Sequence, residues 1–237
     1  MRQRTENVRF GRVPIGTLAY LGVFVNPEEF TWSWGQIIAF CYEYILQSPG
    51  ERSPGEFIHL LRWNRSGQAF GRNILAGKMV GDWLMMLDSD HAPEPDIVLR
   101  LLRLFESYKL DVLSGVYVYK QPPFSPAMYV WDENGQGYRD VVEWNREAEA
   151  IPVACAGAGC LLVRASVFRR LARAFPGEQP FDPKGQYSTD DYSFFERCRL
   201  AGIKSFVATQ IENPHLGLTQ RTLADYDSSK AVRQPTT

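Results

Sequence analysis

Residues 83–105 read WLMMLDSDHAPEPDIVLRLLRLF. Trp83 to Leu87 is a short, unbroken apolar run, the texture of a strand buried on both faces of a parallel sheet. It ends in two carboxylates, Asp88 and Asp90, with Ser89 between them. Pro93 and Pro95 punctuate a turn. Val98, Leu101, Leu102 and Phe105 then recur at i, i+3, i+4 and i+7, which predicts a helix over about 96–108. In an open α/β sheet, ligands bind beyond the carboxyl ends of the strands. Two close carboxylates repel there unless something neutralises them. Asp-x-Asp at that place suits a hard divalent cation and, through it, a diphosphate. Simple capping of a turn is the plainer use of the same pair.

Outward from this unit the rhythm repeats. Thr17–Val25 (TLAYLGVFV) predicts a first strand, and Trp34, Ile37, Ile38, Cys41 and Ile45 mark an amphipathic helix after it. Ser48–Gly55 is a turn-rich connector. Phe57–Leu61 predicts a strand, Gln68–Met79 a helix weakened by Gly71 and Gly77, and Asp111–Tyr119 another strand. Strand and helix alternating in this way imply an α/β fold with a mostly parallel central sheet flanked by helices.

The rhythm then changes. Residues 120–152 alternate turn signals with short β-like runs at Met128–Trp131 and Tyr138–Val142, a hairpin excursion. Gly157–Val163 returns to a buried strand. Ser166 is placed to cap a helix whose inward residues are Phe168, Leu171, Ala172 and Phe175. Asp190-Asp191 opens a further helix that stops at Gly202, and Lys204–Ala208 makes a last short strand. Residues 218–237 are polar without an apolar repeat and predict a flexible tail.

Composition bounds the function. The 237 residues are 45% hydrophobic and 22% charged, enough to bury the core of one α/β domain. A net charge of −1 supplies no global field that calls for nucleic acid or an anionic membrane. Cys41, Cys155, Cys160 and Cys198 form no C-x-x-C pair and predict free thiols in a reducing compartment. There is no apolar stretch of membrane-spanning length and no secretory signal at the start, so the expected location is cytoplasmic.

Three segments in order carry a resemblance. GRNILAGKMVGDWLMMLDSD, then GAGCLLVRASVFRRL, then STDDYSFFERCRLAGIKSF, together resemble a GT-A fold glycosyltransferase of the family-2-like type over roughly residues 15–217. The resemblance implies one GT-A domain, with a nucleotide-sugar-binding half over about 15–119 and an acceptor and catalytic half over about 120–217. It implies a hexosyltransferase-type enzyme that uses Mn2+ or Mg2+, a nucleotide-diphosphate sugar donor and a hydroxyl acceptor. A saccharide is the first expectation for that acceptor; a protein or a modified nucleic-acid base are the others. By the same resemblance Asp88, Asp90 and His215 hold the metal. Asp191 is the base that deprotonates the acceptor in inverting members, with Asp190 its neighbour. Val25, Asn26, Arg72, Asp88, Ser89, Asp90, Gly157, Ala158 and Gly159 line the donor.

Several of these positions have ordinary structural readings as well. The acidic pair 190–191 also suits the positive end of a helix. Arg72 either orders the metal loop or approaches the diphosphate. Trp131 and Trp144 flank the hairpin, where aromatic faces suit a sugar acceptor. His91 reads as a local loop residue and His59 as a core residue. Retaining GT-A transferases carry the same Asp-x-Asp and late histidine, so the stereochemical outcome stays open. A nucleotidyltransferase that forms sugar nucleotides would need a Gly-rich basic loop after the first strand, where this chain has NPEEFTWSW. A non-catalytic carbohydrate-binding domain would have lost the acids, and this chain keeps them.

Overall fold

The computed structural model describes residues 16–22, 58–64, 67–134, 137–216 and 220–233. Val25, Asn26, the helix expected around Trp34–Ile45, the connector 48–55 and Cys41 lie outside the described residues.

Strands β1 (Gly16–Gly22) and β2 (Ile58–Asn64) are followed by helix α1 (Gln68–Lys78), β3 (Trp83–Asp88), α2 (Ile97–Ser107) and β4 (Val112–Val116). Next come β5 (Met128–Asp132), β6 (Gly137–Asp140), β7 (Ile151–Val153), β8 (Cys155–Ala156) and β9 (Cys160–Arg164). Helices α3 (Ala165–Ala174) and α4 (Asp190–Leu200), strands β10 (Ser205–Glu212), β11 (His215–Leu216) and β12 (Gln220–Arg221), and α5 (Leu223–Arg233) complete the chain. The main sheet has the order β2-β1-β3-β9-β4-β10-β7. Its β1–β2, β1–β3 and β4–β10 pairs are parallel, while β9 runs antiparallel between β3 and β4 and β7 is an antiparallel edge. The strand β9, from late in the chain, thus sits inside the sheet built by the early strands. The hairpin of β5 and β6 extends with β8 into a separate three-stranded antiparallel sheet.

The period of two in WLMML explains why β3 is apolar throughout. Leu84 and Met86 point into one core with Leu161, Val163, Leu75, Val167 and Phe194. Trp83, Met85 and Leu87 point into the other, against α2 and Leu162. Successive side chains leave a strand on opposite faces, so a strand covered on both sides has no polar position to spare. On α2 the expected residues Val98, Leu101, Leu102 and Phe105 are all within 1% exposure.

Three local readings need correction. Helix α3 starts at Ala165 with Arg164 as its cap, two residues before the expected cap Ser166, and the Ala165 N–H is bonded to the Asp82 carbonyl at 2.8 Å; Ala172 faces solvent. Strand β10 continues to Glu212 past a register shift after Ala208, which absorbs the polar residues that suggested an earlier end. Most substantially, the expected flexible tail over 218–237 contains helix α5. Its start is capped by Asp225, whose carboxylate accepts the Thr222 N–H at 2.8 Å and the Thr222 hydroxyl at 3.1 Å. Tyr226 anchors it, 5% exposed, stacked on Trp144 and donating to the Val142 carbonyl at 2.7 Å. One buried aromatic residue and a cap dock a segment that has no apolar repeat.

Helix α4 sets its acidic first turn by equally specific means. Phe194 is fully buried and stacked on Phe181 at 4.7 Å, and Phe195 packs edge-on against it. Its C-terminus closes as a Schellman turn: Ile203 N–H bonds to Cys198 O, Gly202 N–H to Arg199 O, and Gly202 takes φ +65°. Phe194→Ala should therefore cost roughly 3–5 kcal/mol. The urea denaturation midpoint of the variant measures this, and an unchanged midpoint would remove Phe194 as the anchor of α4.

Candidate active site

Beyond the carboxyl end of β3 the chain turns through Asp88-Ser89-Asp90-His91, and this turn is zipped onto the segment that follows β10. The Leu216 N–H donates to the Asp90 carbonyl at 2.7 Å and the Ala92 N–H to the Pro214 carbonyl at 2.8 Å. His91 and His215 are thereby paired across an antiparallel bridge. Their imidazoles stack at 4.4 Å with only 2° between planes, and the ring of Tyr117 meets both edge-on.

Each imidazole has its Nδ1 against a backbone carbonyl, Asn213 for His91 at 3.3 Å and Val118 for His215 at 2.9 Å. With Nδ1–H donated, Nε2 is left as a lone pair. Both Nε2 atoms face Asp90, His215 at 3.4 Å from Oδ2 and His91 at 3.9 Å from Oδ1. Burial, aided by His215, pushes His91 down to about 3, so its imidazole is neutral. Burial alone would raise Asp90, but His215 and Lys120 beside it hold its carboxyl well below the usual carboxylate range. An ionised carboxylate and two presented imidazole nitrogens, mutually within 4.8 Å, form a group able to hold a metal ion. The fit extends to Gly159: a Cβ there would lie 2.4 Å from His91 Nε2. Only glycine keeps that lone pair clear.

Asp88 stands outside this group. Both of its oxygens are turned to Arg72 Nη2, at 3.0 and 2.9 Å. The same guanidinium donates through Nη1 to the Ala158 carbonyl at 2.9 Å and through Nε to Asp190 at 2.5 Å. Arg72 is 2% exposed. Burial pushes the Asp88 carboxyl up to about 6 against the pull of Arg72. The neighbouring Asn73 clamps the loop before α4, donating to Asp182 at 2.6 Å and accepting the Phe181 N–H at 2.9 Å.

Asp191 is arranged differently from Asp190. Its Oδ1 accepts from the Thr189 hydroxyl at 2.6 Å and the Tyr192 N–H at 2.8 Å, and among the described residues it makes no ion pair. Burial raises its pKa above the ordinary carboxylate value. An aromatic wall adjoins it: Tyr192 packs on Tyr129, Tyr138 and Tyr187, and the Tyr119 and Tyr129 hydroxyls share a hydrogen bond.

The structure therefore brings Asp90 and His215 together, adds His91 and Lys120, and ties Asp88, Ala158 and Asp190 to Arg72. Ser89 is buried in the turn. Glycine at 157 is required by a neighbour of this chain, since a Cβ would fall 1.8 Å from the Tyr117 hydroxyl. Trp131 and Trp144 have guanidinium groups over their rings, Arg199 at 3.9 Å and Arg146 at 3.8 Å from the centroids, so those faces are already covered. The sequence offered one cue to His91, its position next to Asp-x-Asp. It offered none to Lys120, thirty residues away in a Pro-rich turn. Cys155, Cys160 and Cys198 are free and buried, and no helix of the described residues is long and apolar enough to cross a membrane.

The model of glycosyl transferase family 2 matches residues 45–171, more than half of the chain. Among solved structures, A197 from STIV aligns with a TM-score of 0.50 at 17% identity, covering 85% of this chain and 85% of that one. GalNAc-T7, solved with UDP, GalNAc and Mn2+, aligns with a TM-score of 0.55 at 14% identity, covering 86% of this chain and 43% of its own. At these identities the likeness is one of fold, the GT-A arrangement. No curated protein matches the sequence significantly.

The two glycine environments give a paired test. Gly159→Ala should force His91 off its stack and cost roughly 1–3 kcal/mol through overpacking. Gly77→Ala, with open space around it in α1, should be neutral or stabilise by up to about 1 kcal/mol. Chemical denaturation of both variants reads the contrast, and equal midpoints would contradict the cradle assigned to Gly159.

Proposed function

The chain belongs to glycosyl transferase family 2, and on that premise we propose that it is a metal-dependent, inverting glycosyltransferase. It moves a sugar from a nucleoside-diphosphate donor to a hydroxyl acceptor, with Asp191 as base. The observation that carries the base assignment is the division of labour within the acidic pair. Asp190 is buried and held by Arg72, whereas Asp191 is half-exposed, without an ion pair among the described residues, and beside an aromatic wall.

Asp90, His91 and His215 would hold the ion. Two imidazoles suit Mn2+ better than Mg2+, which prefers an all-oxygen shell with several waters. The Mn2+ present with GalNAc-T7, a protein of the same fold, supports that choice. A bound divalent cation supplies charge stabilisation for the departing diphosphate. Asp191 takes the acceptor hydroxyl proton as the new C–O bond forms and the bond to the diphosphate breaks, and the electron pair leaves with the diphosphate. Arg72 is a positioning residue here, since its donors are engaged with Asp88, Ala158 and Asp190.

Residues 15–119 form the donor half, with Ser89 and 157–159 along the phosphates and sugar. Residues 120–217 form the acceptor half. With one face each of Trp131 and Trp144 taken by an arginine, the exposed ring of Tyr119 becomes a stacking surface for a saccharide acceptor. The three free, buried thiols support a cytoplasmic setting.

Two predictions test this reading. Asp90→Ala should abolish Mn2+-dependent transfer, and His91→Ala and His215→Ala should each raise the Mn2+ concentration needed by about 10-fold or more, the scale on which metal-site substitutions act. Full activity in excess EDTA would sink the metal assignment. Asp191→Asn should cut turnover by roughly 10²-fold while leaving donor affinity unchanged, because the base touches only the acceptor. In the native enzyme, acidification should remove activity from above the ordinary carboxylate pKa, since burial raises Asp191 and the protonated acid cannot accept a proton. Near-normal turnover in Asp191→Asn, with the product anomer retained, would favour a retaining mechanism instead.

A further inference from the structure

The Asp90 carboxylate already has a cation on it. Lys120 Nζ donates to Asp90 Oδ2 at 2.7 Å, and that oxygen is the one 3.4 Å from His215 Nε2. An oxygen that a metal ion would take is therefore in the hands of an ammonium. The two side chains are 35% and 36% exposed, at the rim of the group. They border a cavity of about 500 Å³ that Tyr119, Gln121, Ser125 and His215 also line.

A partly exposed pair of this kind is worth little in water. The lysine ammonium is a point charge on a flexible stem with three rotatable donors. A divalent ion that also gains two imidazole nitrogens offers Asp90 more than the lysine does. The released ammonium cannot travel far, and its reach covers the same cavity. An anionic group entering beside the ion meets it there.

We propose that Lys120 competes with the divalent cation for Asp90 and, once displaced, binds the diphosphate of the donor. This rests on the metal reading above and adds to it a residue that reports whether the metal is in place. Without the ion, Lys120 neutralises Asp90 and is withheld from the phosphates. With the ion, it becomes a second positive charge for the leaving group. Ordered binding follows, metal before diphosphate.

The test uses the full chain without sugar donor, with Mn2+ binding read by electron paramagnetic resonance and inorganic pyrophosphate binding by calorimetry in saturating Mn2+. Lys120→Met should bind Mn2+ about three- to ten-fold more tightly, because an opposing cation has been removed. It should bind pyrophosphate about ten-fold or more weakly, the scale of a lost charge-assisted hydrogen bond. Lys120→Gln should behave alike, and Lys120→Arg should keep most of the pyrophosphate affinity. A merely structural lysine would not yield tighter Mn2+ binding on removal. Mn2+ binding that is lost in Asp90→Ala but unchanged or weakened in both neutral Lys120 variants overturns this proposal alone, as does unchanged pyrophosphate affinity. Absence of Mn2+ binding to the native chain overturns the metal reading and this proposal with it.

Discussion

One guanidinium holds the site together. Arg72 leaves α1 and reaches the end of β3 at Asp88, the 157–159 turn at Ala158, and the first turn of α4 at Asp190. These segments are 16 to 118 residues away in sequence from Arg72. The fork of an arginine suits this: its donors are planar and fixed, so three partners must sit in one plane at set angles. Removing Arg72 from this buried cluster leaves two carboxylates without compensation, a loss of about 3–5 kcal/mol. The arrangement thus ties catalytic geometry to fold stability.

Sheet topology explains why such a tie is available. Because β9 inserts antiparallel between β3 and β4, the turn that leads into β9 lies beside the turn that leaves β3, and the Asp88 N–H bonds to the Gly159 carbonyl at 2.9 Å. The two glycines of that turn then serve closeness within the protein, one making room for the Tyr117 hydroxyl and the other for His91 Nε2. The segment after β10 completes the ring from the other side, its backbone bonded to Asp90 and Ala92. The histidine pair is placed by main-chain pairing, and each ring is then oriented by a carbonyl on its Nδ1.

Much of this frame was legible in the sequence because it rests on local periodicity. The β3 and α2 unit follows from an apolar run, two prolines and an i, i+3, i+4, i+7 stripe, and the acidic opening of α4 from Asp190-Asp191. What stayed hidden depends on contacts between distant residues. His91 looks like a loop residue until His215 is stacked on it. Trp131 and Trp144 look available until Arg199 and Arg146 lie on their faces. Lys120 has no periodicity to announce it. The C-terminal helix belongs with these: its stretch is polar without an apolar repeat, and the docking of Tyr226 on Trp144 supplies the burial that makes the helix worth forming.

The four aspartates show how surroundings set members of one residue type apart. Asp88 and Asp190 share the buried Arg72, and burial lifts Asp88 to about 6 even so. Asp90, with a lysine and two imidazoles around it, is held ionised despite the burial that opposes it. Asp191 has only neutral donors, a threonine hydroxyl and a backbone N–H, and burial raises it. A carboxylate meant to bind a cation should resist protonation, and one meant to accept a proton should not be pinned by a permanent cation. Asp90 and Asp191 differ along that line, and Arg72, shared with Asp88, also holds Asp190, so that of the acidic pair only Asp191 is left with neutral donors.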